Sequence, residues 1–139
     1  MGATVSAKAI IVHELAHARA ALTAAAERGV PVALWSAPGA AAYAGAGWFS
    51  AVLARAAAAV PAARFSGVLD CADRPDLVQA ALRQGLAEVC YRGPDGLARR
   101  LADIAHQRQA TLHRRRPPAL DLGDARDPLV ACRQWLARD

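Results

Sequence analysis

Short apolar runs alternate with longer helical stretches along the whole chain. Residues 7–13, 31–35, 65–69, 88–91 and 111–113 are brief, apolar in large part and bounded by Gly, Pro or charged residues. Runs of that length suit strands buried on both faces, as in parallel sheets. Between them, apolar residues recur at helical spacing. Residues 14–28 form an alanine-rich helix ended by Gly29, and a second runs from about Trp48 to Val60, stopped by Pro61. A third starts at Pro75, carries Leu77, Val78, Ala81 and Leu82, and ends at Gly85. Gly93-Pro94-Asp95 opens a fourth, in which Leu97, Leu101, Ile104 and Ala105 form one stripe. Pro117-Pro118 breaks the chain. Asp127 then caps a last helix with Pro128 in its first turn and Leu129, Trp135 and Leu136 to bury.

The stretch 65–75 shows the grammar most clearly. A buried strand ends at Asp70, the polar loop Cys71-Ala72-Asp73 follows, and Pro75 begins a helix that Asp73 is placed to cap. Strand and helix alternate at least four times at this scale. That predicts βαβ units with right-handed crossovers: a three-layer, doubly wound, flavodoxin- or Rossmann-like α/β fold. The sheet should be mainly parallel, with about five strands, Ile11, Leu34, Val68 and Val89 in its central strands, and an extra C-terminal helix. A segment of a (βα) barrel needing a partner to close is the alternative. Residues 1–116 are expected to form the α/β domain. Residues 117–139 are expected to be a Pro-rich linker and a helix packed on that domain or on a partner subunit, which favours a homodimer.

Composition adds constraints. The chain has 139 residues, one domain's worth, and 37 of them are alanine against only two Phe, two Tyr and three Trp. The core must therefore be close-packed with few large anchors. Net charge is +5, carried by 16 Arg and Lys8, and only Arg114-Arg115-Arg116 forms a run. Scattered charge of this kind implies solvated helix faces, so nucleic acid is not an expected partner. Cys71, Cys90 and Cys132 are odd in number with no CxxC, which points to free thiols and a reducing, cytoplasmic setting. No stretch reads as a membrane span or a signal peptide. Met1 to Ser6 match the short myristoylation pattern.

Candidate chemistry sits just after the strands, because ligands of parallel sheets bind beyond the strands' carboxyl ends. The candidate ligand-binding residues are His13, Ser36, Gly45, Gly47, Asp70, Asp73 and Arg92. If the strand order is 2-1-3-4-5, His13 and Asp70 face each other. Gly45-Ala46-Gly47 opens a helix whose free N–H groups suit an anion. His13-Glu14-Leu15-Ala16-His17 resembles the zincin metalloprotease motif, which implies zinc on His13 and His17 and water activation by Glu14. No third ligand stands at a familiar spacing, and His13 falls at a strand–helix junction. Val68-Leu69-Asp70 with Pro75, and Arg116-Pro117, resemble a response-regulator receiver domain. Arg92 and Arg116 stand where receivers have Ser or Thr and Lys, and His13-Glu14 stands where they have an acidic pair, which implies an inactive relative. The sequence points to a non-catalytic binding or interaction module for a small anionic ligand. A metal-dependent hydrolase and an inactive receiver-like domain are the alternatives, and no cofactor is named by any motif.

Overall fold

Glycines and prolines punctuate the chain as the sequence indicates. Gly29 and Gly85 end helices with φ of 66° and 93°, and Pro75 and Pro128 open helices. The computed structural model describes residues 7–138, so the segment Met1 to Ser6 with its myristoylation pattern lies outside the described residues. In chain order the elements are β1 (Lys8–Ile11), α1 (Leu15–Arg28), β2 (Val32–Trp35), α2 (Ala40–Tyr43), α3 (Ala46–Ala59) and β3 (Phe65–Asp70). They continue with α4 (Pro75–Gln84), β4 (Glu88–Cys90), α5 (Asp95–Gln107), β5 (Thr111–His113), β6 (Ala119–Asp121) and α6 (Pro128–Ala137). A 3₁₀ turn, Leu122–Asp124, links β6 to α6.

The fold is α/β: a single six-stranded parallel sheet flanked by helices, the class to which flavodoxin- and Rossmann-like folds belong. Two elements go beyond the sequence expectation. The loop expected at 36–47 contains the helical turn α2. Residues 119–121, within the expected linker, form β6 and pair with β1, so the C-terminal segment belongs to the sheet.

Strand order is β5-β4-β3-β2-β1-β6. The 2-1-3-4-5 order considered from sequence is not found, so β1 and β3 are separated by β2 and the receiver-like arrangement does not occur. From β1 to β5 each strand is laid beside its predecessor in one direction. Right-handed crossovers then bring successive helices to the same face. The helices indeed touch in series: α6 on α1, α1 on α3, α3 on α4, α4 on α5. This is how a (βα) barrel winds, the alternative drawn from the sequence.

The connection from β5 to β6 closes the roll. These are the two edge strands, five strand spacings apart, which is roughly 24 Å in a flat sheet. Only residues 114–118 join them, and six Cα steps reach at most about 22 Å fully extended. They must also return to the start of β6, since it runs parallel to the rest. A flat sheet is therefore excluded, and the sheet must curl. The packing agrees. Ile10, Val32, Leu34, Leu69 and Val89 point to the helices. Ala9, Trp35, Val68 and Cys90 form a second cluster on the concave face, at most 3% exposed although no helix contributes to it.

α6 covers its apolar face in cis. Cys132 and Leu136 are buried against the core, Trp135 Nε1–H donates to the Ala9 carbonyl at 3.1 Å, and Arg133 pairs with Glu27 of α1. Deleting residues from Ala125 onward should therefore destabilise the monomer itself, read as a lower urea midpoint. An unchanged midpoint would contradict cis packing. On β3, a Cβ at Gly67 would lie 2.4 Å from Leu53 Cδ1 of α3. Gly67→Ala is expected to cost about 1–3 kcal/mol through overpacking. In a Leu53→Ala background the same substitution should cost clearly less, measured as a double-mutant cycle in urea.

Candidate functional site

The curl gathers the loops that follow the strands around one fully buried carboxylate, Asp70 at the end of β3. Its Oδ1 accepts the N–H of Gly39 at 2.9 Å, the N–H of Ala72 at 2.8 Å and Arg92 Nη2 at 3.1 Å. Its Oδ2 accepts Arg92 Nε at 3.1 Å and Arg116 Nη1 at 3.0 Å. The Asp70 N–H donates to Ser36 Oγ at 2.9 Å, and Ser36 Oγ donates to the Ala37 carbonyl at 3.1 Å. Arg116 also donates through Nη2 to the Ser36 carbonyl at 2.9 Å, and its guanidinium lies 5.2 Å from the Trp35 ring centre. Four chain segments, following β2, β3, β4 and β5, thus meet on one side chain.

Burial would raise the Asp70 carboxyl, but hydrogen bonds from Arg92, Gly39, Ala72 and Arg116 outweigh it and hold the group below the ordinary Asp range. Asp70 is therefore a fixed anion at neutral pH, unsuited to proton donation. The local backbone carries strain to make this possible. Ala72 has φ of 52°, a left-handed conformation costly for a residue with a Cβ, and is held there by its N–H bond to Asp70 and by its carbonyl, which accepts the Arg92 N–H at 2.7 Å.

Deeper on the concave face, His113 pairs with Glu88 at 2.7 Å and sets its ring edge to Trp35 at 5.3 Å. The hydrogen bond from His113 holds the Glu88 carboxyl low against the cost of burial. The thiols offer no nucleophile. Burial, with Asp70 adding to it, pushes Cys71 up to about 12 and Cys90 up to about 11, and burial alone takes Cys132 to about 11.

Of the residues singled out from sequence, Ser36, Asp70 and Arg92 converge directly. The others do not join them. His13 does not face Asp70, because β2 intervenes; its Nε2 lies 2.6 Å from Asp121 Oδ1 at the end of β6. Asp73 is exposed and does not cap α4, whose N-cap is Arg74 with no side-chain bond. Gly45 begins α3 with φ of 88°, and its N–H is directed to the Ala40 carbonyl at 3.4 Å. Gly47 is exposed in the first turn of α3, facing Gln84.

The zincin-like pair is set differently from the motif it resembles. His13 precedes α1, Glu14 is an exposed N-cap with extended backbone, and His17 Nδ1 accepts the His13 backbone N–H at 3.1 Å. Burial lowers His17, so it is neutral near pH 7. Among the described residues no group of three or more His, Cys, Asp or Glu side chains is arranged to hold a metal ion.

Sequence reasoning missed Trp35 and Asp121, and it noted Arg116 only within the run after the fifth strand and where a receiver would have Lys. Arg116 sits in a run of three arginines, and charge patterning alone reads such a run as solvated surface. Its neighbours part company: Arg115 is exposed, while Arg114 turns to Asp95 and the carbonyls of Tyr91 and Gly93. No local signal marks Arg116, because the crossing path of residues 114–118 is set by β6, which gains its strand character only by pairing with β1.

No protein-family model matches the chain, and no curated protein sequence matches it. Among solved structures it is similar to the crystal structure of a putative fructose-1,6-biphosphate aldolase from Coccidioides immitis, with a TM-score of 0.64 and 21% identity. The match covers 77% of this chain and 40% of that one, so this chain spans well under half of its neighbour's length. At that identity the likeness concerns the fold. No helix among the described residues is long and apolar enough to cross a membrane.

Asp70→Asn should leave two arginines around an uncharged group and cost about 3–5 kcal/mol, the usual penalty for breaking a buried ion pair. Stability from a depressed carboxyl is complete above its unfolded pKa of about 3.9 and is lost as pH falls through the lower folded value. The wild-type urea midpoint should therefore fall below about pH 4–5 more steeply than that of Asp70→Asn. Parallel curves would show that the Asp70 carboxyl takes up protons equally in the folded and unfolded states, so that its partners do not depress it. Arg116→Ala should cost more than Arg92→Ala, since the Arg116 side chain is 17% exposed against 38% and also holds Ser36 and covers Trp35.

Proposed function

We propose that this chain is a non-catalytic α/β binding module that takes a small anionic molecule at the carboxyl ends of its strands. The observation that carries the reading is the convergence of two guanidinium groups, Arg92 and Arg116, on the single carboxylate of Asp70. One positive charge is left in excess within that cluster. Arg92, the more exposed partner, keeps its Nη1 outside the bonds to Asp70, and guanidinium groups match carboxylate and phosphate geometry. The place fits as well, since ligands of parallel sheets bind at this end.

The chemistry available favours binding over turnover. The carboxylate at the centre is a fixed anion and the nearest thiols, Cys71 and Cys90, stay protonated, so neither serves as a base or nucleophile at neutral pH. A preformed cluster whose members already hold one another costs little ordering when a ligand arrives. The neighbour in fold is named for a biphosphate sugar, and at its distance that name supplies a choice of probe; the anion itself is argued from Arg92 and Arg116.

Inorganic phosphate should raise the melting temperature saturably. At 100 times the dissociation constant the gain is about 2.7 kcal/mol, and each kcal/mol moves the midpoint by roughly 2–8 °C for domains of this size range. Arg92→Met should abolish the gain while the fold persists, because Arg116 still neutralises Asp70. An equal rise in wild type and Arg92→Met would reduce the effect to general salt stabilisation and defeat the proposal.

A further inference from the structure

A second concavity lies apart from the Asp70 cluster, between the end of β1 and the turn α2. It encloses about 220 Å³, below the roughly 300–1,000 Å³ of sites for drug-sized molecules. Val12, Ala37, Ala40 and Ala44 form its apolar walls, and Tyr43 and Trp48 supply aromatic surface. Ala37, Ala40 and Ala44, in and around α2, contribute short side chains to its wall. Gly39 and Gly45, with φ of 69° and 88°, let the chain turn sharply on either side of α2. The bond from Gly39 N–H to Asp70 anchors that turn to the buried cluster, so the wall is fixed before any ligand arrives.

The pocket has one oriented polar side chain, His13. Asp121 holds its Nε2 at 2.6 Å, and Asp121 is itself fixed by accepting the Gly123 N–H at 2.9 Å. With Nε2 turned to the carboxylate, Nδ1 is the ring nitrogen left without a hydrogen-bond partner among the described residues. His17 does not compete for a ligand proton, since its Nδ1 already accepts the His13 backbone N–H. Tyr43 is 73% exposed, the most exposed large apolar side chain among the described residues, and it stands on the pocket's wall with its ring uncovered.

We propose that this pocket binds a small planar aromatic molecule carrying one hydroxyl or N–H donor. Trp48 and Tyr43 take its faces by offset or edge-on contact, the alanine wall fits its width, and His13, oriented by Asp121, accepts its proton donor. The site is independent of the anion site at Arg92. It depends on α2 being held in place, not on any charge in the Asp70 cluster being free.

Phenol and benzene are the probes, followed by NMR on the full chain through the Trp48 indole N–H and the methyl groups of Ala40 and Ala44. Phenol should shift these signals saturably, and benzene should bind about tenfold more weakly, the worth of one net hydrogen bond. His13→Ala should bring phenol down to the benzene level and leave benzene unchanged. Ala44→Leu should fill the pocket and abolish both. Equal binding of phenol and benzene to the wild type, or phenol shifts that do not centre on Trp48 and α2, would overturn the proposal. That comparison requires no variant to fold.

Discussion

A buried carboxylate without partners costs several kcal/mol, and the architecture here is arranged so that Asp70 never lacks them. Five hydrogen bonds reach its two oxygens from the segments that follow β2, β3, β4 and β5. Each of those segments would otherwise be a loop free to choose its own path. With Asp70 ionised they have one arrangement that satisfies it. The strained backbone of Ala72 belongs to the same arrangement, since both its N–H and its carbonyl are committed to the cluster.

The curl of the sheet and the carboxylate depend on each other. Five residues carry the chain from one sheet edge to the other, so the edges must approach and the concave face must close on itself. A closing face of small side chains, such as Ala9, Ala33 and Ala119, leaves room at its mouth, and Arg116 from the crossing segment occupies that room over Trp35. An arginine there would be an uncompensated charge without Asp70. Asp70 would be one too without the arginines. Small alanine side chains let helices and strands approach closely throughout the core.

This arrangement bears directly on function. A mouth filled by two guanidinium groups on one buried carboxylate is a poor place for proton transfer, and the anion site proposed above rests on the one positive charge left over there. The separate pocket beside α2 obtains its rigidity from the same carboxylate, through Gly39. The two candidate sites thus differ in chemistry while sharing one support. The likeness in fold to a much longer aldolase-like chain agrees with this picture of a wound α/β unit and leaves the chemistry to be read from these side chains.

The sequence by itself determined the local elements. Apolar runs of strand length, helical stripes, and stops such as Gly29, Gly85, Pro75 and Pro128 located five strands and the long helices nearly to the residue, because these signals act over a few neighbours. It also placed Ser36, Asp70 and Arg92 after strands, where a parallel sheet gathers polar groups. Strand order was not legible, since the choice between laying the next strand on one side or the other leaves no local trace. That choice decided that His13 meets Asp121 rather than Asp70. β6 was hidden because three residues behind Pro117-Pro118 gain strand character only by pairing with β1. Which arginine of the run 114–116 turns inward was likewise decided by tertiary structure: all three have the same local propensity, and only the path of the crossing segment brings Arg116 over Trp35 to a carboxylate 46 residues away in sequence.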